Sequence, residues 1–391
     1  MELSFSDTAV AFSYKSDKEL RKSHFLFSSI NSPVLAKLGT NIVKFGFKIK
    51  APIKGLVRQT IFAQFCGGES IDDCAGTIAM LGQYNLKTIL DYAVEGESGK
   101  VDFDRTADEI HRTVDRAAGD ANIPFCVFKP TGLAPMDLLV RAQLHQEKLS
   151  PDDQSGLERI FRRWDAIAEH CSRAGVQLFI DSEHSYIQEP IDRLVYRLME
   201  LHNKRRPVVC NTYQMYRVGM LERLMQAVEE GRRKGYLVGA KLVRGAYMEK
   251  ERTRAAEQGY DDPIMPDKAA TDRQYDDALR YCMDQIDVMS LCSGSHNEES
   301  NYLLARLIDE HGHDRSDPRI YFAQLYGMSD NISFNLAKAG YNVVKYLPYG
   351  PVEAVLPYLF RRAEENTSIA GQSSRELEHI RTELKRRRSV S

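Results

Sequence analysis

Apolar side chains along this chain gather in eight short runs rich in Val, Ile, Leu, Phe and Tyr, each bounded by turn residues or charge. They are TILDYAVE (88–95), IPFCVFKPTG (123–132), VQLFIDSE (176–183), PVVCNTYQ (207–214), LVGAKLVRGAY (237–247), VMSLCSGSHN (288–297), IYFAQLYGM (320–328) and NVVKYLPYG (342–350). Several are nearly continuous in hydrophobicity, which is what parallel strands covered on both faces require. Between them the period changes to that of a helix. In residues 156–175 the apolar positions 157, 160, 161, 164, 167 and 168 form one stripe, and 189–204 and 220–235 behave the same way. Gly175 and Gly235 fall where a helix should stop. Strand alternating with helix eight times predicts a parallel (β/α)8 barrel, with a doubly wound open sheet as the structural alternative. The span from 88 to 366 suits the roughly 250 residues typical of that barrel.

Residues 1–87 precede the first strand. The segments 32–50 and 70–85 read as helices, so the region is expected to be a helical arm packed on a barrel of residues 88–370. Residues 371–391 form a helical basic tail. The polar segment 250–275, with Gly and Pro, predicts a long loop holding a broken helix.

Composition narrows the function classes. The chain has 391 residues, 43% hydrophobic and 28% charged, with a net charge of -2. That balance gives no electrostatic case for nucleic acid. The dense basic run Lys385 to Arg388 reads as a solvated helix end, with a grip on an acidic membrane surface as the lesser alternative. Seven scattered cysteines without a C-x-x-C pair read as buried thiols in a reducing compartment. The first residues resemble neither a signal nor a transit peptide, and no apolar stretch could span a bilayer. A cytoplasmic location follows, with peripheral membrane contact left open. No glycine-rich nucleotide fingerprint, P-loop, H-E-x-x-H pair or serine elbow occurs, and no spaced His/Asp/Glu set reads as a metal site.

In a barrel of this type chemistry sits at the carboxyl ends of the strands. The runs end in Asp91 and Glu95, Lys129, Asp181, Gln214, Lys241 with Arg244, Ser295-His296-Asn297, Gln324 or Leu325 with Tyr326, and Tyr346. Together they form a ring of polar side chains at one level. A helix follows the last run, with Pro351 suited to its first turn. On it Tyr358 shares a face with Arg361 and Arg362, and Glu365 comes one turn later. Adjacent arginines point about 100° apart and can approach one carboxylate from two sides. The pair reads as an anion clamp if the helix lies over the barrel mouth.

The motifs FKPTG, FIDSEH, KLVRGAYMEKER, GSHNEES, FAQLYGM, YLPYGPVEAVLPYL and RRAEENTS follow one another in this order, within a match that runs from about Ile89 to Ser368. Together they resemble the proline dehydrogenase family, closest to its stand-alone and eukaryotic-type members, with no aldehyde dehydrogenase half expected. The resemblance implies a distorted (β/α)8 barrel holding FAD non-covalently. It also implies oxidation of L-proline to Δ1-pyrroline-5-carboxylate, with electrons passed to a membrane quinone. Carried onto this sequence, Arg361 and Arg362 would bind the proline carboxylate. Lys129, Asp181, Tyr346 and Tyr358 would line the pocket, with Leu325 as an apolar wall. Asp181 and Lys241 would serve the catalytic centre. Ser182 and Gln214 would contact the flavin. Lys241 stands where the family usually has arginine, so the cation is kept but the forked donor is lost. Arg244, with Val243, Gly245, Ala246 and Tyr247, would face the cofactor's pyrophosphate and ribose. Ser295, His296, Asn297, Gln324 and Glu365 would complete the cofactor site, and Glu95 would pair with Arg361 as a gate.

Two other readings compete. A hydroxyproline or other cyclic amino acid dehydrogenase could use the same site, with the bulk of Tyr346 arguing for proline. A non-catalytic binding barrel is the alternative from another class, and purified protein that stays colourless after FAD is added would favour it.

Overall fold

The computed structural model describes residues 3–49, 52–93, 102–144, 148–368 and 372–390, with the backbone alone at 33, 34, 36, 44, 46–48, 363–368, 372–374 and 390. Eight strands follow the eight apolar runs: β1 Leu86–Tyr92, β2 Phe125–Phe128, β3 Gln177–Ile180, β4 Val209–Gln214, β5 Val238–Val243, β6 Met289–Gly294, β7 Ile320–Leu325 and β8 Val343–Tyr349. They form a closed barrel in sequence order, and the paired strands are parallel. The open-sheet alternative is thereby excluded. By compactness the chain divides into two units, Met1–Glu95 with Gln324–Ser391, and Gly96–Ala323.

Within the unit Gly96–Ala323 the strand interiors show why the runs read as continuous. All six residues of β4 and all four of β2 are buried. The Phe125 and Phe179 rings stack at 4.5 Å, and Tyr321 meets Phe125 edge-on at 4.7 Å. These rings come from β2, β3 and β7, so the contact crosses the barrel interior and fills it near the strand starts. The helix Pro151–Ala174 begins where Ser150 caps it with Pro151 in its first turn, and it ends at Gly175 with φ 77°. Its Trp164 is fully buried against Phe128, ring centroids 5.2 Å apart. The helix Met220–Lys234 ends at Gly235, φ 68°. The polar segment 250–275 is more helical than expected. The helices Met248–Gln258 and Lys268–Asp284 occupy most of it, with Gly259 at φ 71° closing the first and Asp267 capping the second.

In the other unit β1 and β8 pair along seven residues, Leu86 opposite Val343 through Tyr92 opposite Tyr349. The two N-terminal stretches expected to be helical are so, chiefly as Pro33–Lys48 and Ala75–Gln83. The basic tail lies in the helix Gln372–Val390, but it is not simply a solvated end. Arg387 donates to Glu383 at 2.7 Å, to Asp17 at 2.8 Å and to the Phe12 carbonyl at 2.8 Å, while Arg386 donates to Glu383 at 2.7 Å.

A buried polar network holds this unit together. Lys345, fully buried on β8, donates to Asp330 at 3.0 Å and to the Met328 carbonyl at 2.7 Å. Tyr14 donates to the same Asp330 at 2.6 Å, and the Ser329 N–H donates to Glu376 at 3.0 Å. Ser329 holds φ 51°, a left-handed conformation that these bonds fix. Burial, and next the Asp330 charge, push the Glu376 carboxyl up to about 7, against the pull of the Ser329 N–H and of Lys345 and Lys15. The native state therefore keeps this proton between the ordinary carboxylate value and about 7, where the unfolded chain has released it. The sign follows: stability from this group falls as pH rises through that window. Glu376→Gln should flatten the fall in melting temperature between about pH 5 and about pH 8. A scan in which parent and variant keep parallel slopes would show that Glu376 does not titrate there.

Candidate functional site

The carboxyl ends of β3, β4, β5 and β6 bring together most of the residues singled out in the unit Gly96–Ala323. Lys241 is buried on β5 and donates to Asp181, which directly follows β3. Its ammonium lies 5.4 Å over the Phe179 ring, so the aromatic filling of the barrel supports the cation from below. The side chains are 5% and 18% exposed, respectively. Each charge is therefore largely desolvated and depends on the other. Ser182, next in the chain, donates to the Thr212 carbonyl of β4. Gln214 closes β4 fully buried, and its Oε1 has no hydrogen-bond partner among the described residues.

Beyond β5 the chain turns sharply. Gly245 has φ 125°, and a Cβ there would lie 2.3 Å from the Tyr216 ring, so no other residue fits without displacing that tyrosine. The β4–β5 ladder runs on into this turn, with the Tyr216 N–H donating to the Arg244 carbonyl at 2.8 Å. Gly245 and Ala246 are exposed, and Val243, Arg244 and Tyr247 are half-buried. Arg244 spreads its guanidinium over Asp272 at 2.7 Å, Ser295 at 2.9 Å and Ser300 at 2.9 Å, with the Tyr275 ring 4.3 Å away. Three of its five donors are thus on protein groups. Ser295 also accepts from the Asn297 N–H, and Asn297 caps the helix Glu298–Glu310. His296 is half-buried between them.

Two acidic residues with no role assigned from sequence organise these loops. Glu183 is buried and accepts from the Thr131 N–H and hydroxyl, both at 2.7 Å, fastening the loop after β3 to the one that carries Lys129. Burial raises its carboxyl despite those bonds and the Lys129 charge. Glu251, completely buried, accepts from the Ser185 N–H at 2.7 Å and hydroxyl at 2.5 Å, with His184 Nδ1 at 3.5 Å. Burial would raise Glu251, but the bonds from His184 and Ser185 prevail and hold it below the usual carboxylate range. Both lay inside quoted motifs, yet nothing local distinguishes a buried acid from a solvated one.

In the other unit, Tyr346 on β8 and Tyr358 on the helix Val352–Ser368 are buried, and Leu325 packs partly buried against the same cluster as Tyr358. Arg362 is buried too, its guanidinium 5.2 Å over the Tyr358 ring. Arg361 is half-buried. The two arginines therefore differ in setting, as adjacent helical positions should. Gln324 is buried and accepts from the Ser333 hydroxyl at 2.9 Å. Glu95 lies outside the described residues, as does the side chain of Glu365.

Breaking the Lys241–Asp181 pair from one side leaves a desolvated charge behind. Lys241→Ala should destabilise the protein by about 3–5 kcal/mol, and adding Asp181→Ala should recover a good part of it. Urea unfolding of parent, both single variants and the double variant measures this; strictly additive losses would remove the coupling.

Residues 74–375 match the model of the family described as Proline dehydrogenase. The human protein "Proline dehydrogenase 1, mitochondrial" is 41% identical over 243 residues, covering 61% of this chain and 40% of its own length. The chain thus spans about two fifths of that relative. The Xenopus laevis "Hydroxyproline dehydrogenase" is 30% identical, covering 98% of this chain and 90% of the relative. Among solved structures, proline utilization A from Bdellovibrio bacteriovorus superposes with a TM-score of 0.72 at 19% identity, covering 92% of this chain and 38% of that one, a likeness of fold. With the match extending over most of the chain, this protein belongs to the proline dehydrogenase family.

Proposed function

We propose that this protein oxidises L-proline to Δ1-pyrroline-5-carboxylate in proline catabolism, with FAD as hydride acceptor and a quinone as onward electron acceptor. The family match over residues 74–375 carries the reading. The residues present fit a flavin nucleotide. The buried Gln214 Oε1 that lacks a partner can accept from a cofactor N–H. The exposed Gly245–Ala246 turn beside the Arg244 cation suits a pyrophosphate that no glycine-rich nucleotide loop receives. Ser182, Val243, Tyr247, Ser295, His296, Asn297, Gln324 and Glu365 would complete that site. FAD, when bound, would supply the hydride-accepting ring.

The protein's share is binding and orientation. Arg361 and Arg362 would hold the proline carboxylate, and a forked guanidinium suits that better than an ammonium would. Tyr346, Tyr358 and Leu325 would pack the ring, fixing which carbon faces the acceptor. Lys129 would line the pocket, and Asp181 with Lys241 would fix the charge at its catalytic end. Glu95 would pair with Arg361 as a gate. In the reaction the C5–H bond breaks with its electron pair as hydride, while the nitrogen lone pair forms the C=N bond. The amine must therefore be neutral, and its proton passes to solvent. In our reading the reducing compartment implied by seven buried, unbridged cysteines is the cytoplasm.

The Xenopus relative keeps hydroxyproline as a second substrate reading. Buried Tyr346 argues against a ring hydroxyl by bulk, and kinetics with both substrates decide.

A flavin absorption band should bleach when L-proline is added without oxygen; protein that stays colourless with added FAD would end this reading. The rate with proline should rise toward alkaline pH. Arg361→Ala and Arg362→Ala should each raise the half-saturating proline concentration, by a loss of about 2–5 kcal/mol where the pair is desolvated. Unchanged half-saturation in both variants would remove the clamp.

A further inference from the structure

One face of the N-terminal helices is apolar and turned to water. On the helix Pro33–Lys48, Leu35, Leu38, Ile42 and Phe45 are exposed, and Ile49 continues the row just past its end. At 100° per residue these five positions fall within an arc of about 80°. Exposure reaches 62% at Phe45, and Phe25 on the helix Asp17–Ile30 is 75% exposed. The helix still has an inner side, since Val43, well off this arc, packs against the buried core of the same unit. A row of large apolar side chains in water is not the ordinary scatter of a soluble surface.

The sequence that carries this face is basic. From Leu20 to Gly68 there is no Asp or Glu, while Arg21, Lys22, Lys37, Lys44, Lys48, Lys50, Lys54 and Arg58 fall in that span. The first acid after it, Glu69, pairs with Lys54 at 2.9 Å and with Arg58 at 3.6 Å, leaving the remaining cations of the span uncompensated by any acid within it. No helix among the described residues is long and apolar enough to cross a membrane. An amphipathic helix with basic flanks and an apolar outer stripe lies in the plane of an anionic bilayer, its apolar row among the acyl chains and its cations at the headgroups.

The geometry points to the face formed by Leu35, Leu38, Ile42, Phe45 and Ile49 as the surface on which this protein docks to an anionic lipid bilayer. This deepens the reading of a quinone as electron acceptor, since a membrane-dissolved quinone is reached only from the bilayer surface, but the docking itself stands on the exposed row and the acid-free sequence. A second copy of the chain is the rival occupant; it would bring a second basic, acid-free segment against the first.

The test is flotation of the full chain with phosphatidylcholine vesicles containing phosphatidylglycerol, against vesicles of phosphatidylcholine alone. The parent should float with the anionic vesicles, at least tenfold more than with the neutral ones, and rising salt should reverse it. The variant Leu38→Glu/Ile42→Glu/Phe45→Glu should lose more than tenfold of this binding with an unchanged thermal melt, because its side chains leave no core. Lys37→Glu should lose less, and its loss should shrink with salt. Flotation by the triple variant equal to the parent overturns the proposal. So does a parent that ignores vesicles but falls from dimer to monomer on the triple substitution, which gives the face to a second copy. Proline oxidation with a soluble dye separates the two readings. A parent that floats without oxidising proline keeps the surface and loses the activity. One that oxidises proline without floating does the reverse.

Discussion

The constraint around which the barrel mouth is arranged is a buried cation that must be neutralised. Lys241, buried over the Phe179 ring, is met by the carboxylate of Asp181, and removing either partner would leave a desolvated charge. That pairing sets the relative height of the β3 and β5 ends, with β4 between them. A shift of one residue in β5 would turn Lys241 to the other face of the sheet and strand the carboxylate. Register, normally specified by apolar alternation, is here also specified by charge. The neighbouring loops then follow: Ser182 bonds to β4, Glu183 reaches back to the loop after β2, and Arg244 reaches forward to Ser295 after β6. Each link joins chain ends that sequence separates by tens of residues.

The ammonium of Lys241 makes a compact point contact. A guanidinium could grip Asp181 with two parallel bonds and still offer donors elsewhere. An ammonium has three donors and no fixed plane. The orientation of Asp181 must therefore come from its surroundings, and the close packing of Phe125, Phe179 and Tyr321 beneath supplies a rigid base. The unit containing β1 and β8 meets the same problem with a different set of groups. There the fully buried Lys345 is satisfied by one carboxylate and a backbone carbonyl, and Tyr14 completes the carboxylate. Surface ion pairs such as Arg233 with Glu230 are numerous but contribute little by comparison.

The strands and the barrel could be read from the sequence because a strand covered on both faces has to be apolar along its length, and that demand is local. The helix ends at Gly175 and Gly235 could be read for the same reason. Segment 250–275 could not. Its polarity suggested a loop, but Glu251 and Ala255 are buried one turn apart, and that is enough to seat a polar helix. The ring of polar strand ends pointed to Lys241, Asp181 and Gln214, yet nothing local revealed that the first two pair across 60 positions, or that Arg244 is drawn onto Asp272 and two serines. Lys345 was hidden inside an apolar run, because its partner Asp330 comes from the preceding helix and Tyr14, which donates to that carboxylate, lies 316 positions before Asp330.

Basic residues show the same dependence on context. The run Lys385 to Arg388 is the densest cluster of positive charge in the sequence and the first candidate for an acidic surface. Arg386 and Arg387 instead close on the buried Glu383, and Arg387 adds Asp17 and two backbone carbonyls, so much of that charge is already answered within the fold. The N-terminal segment is less dense but contains no acid for 49 residues, about the length of three helices, and it carries the exposed apolar row as well. Charge with no acid near it in sequence, beside large apolar side chains left exposed among the described residues, is the combination a lipid surface satisfies on both counts, whereas density alone points to the other end of the chain.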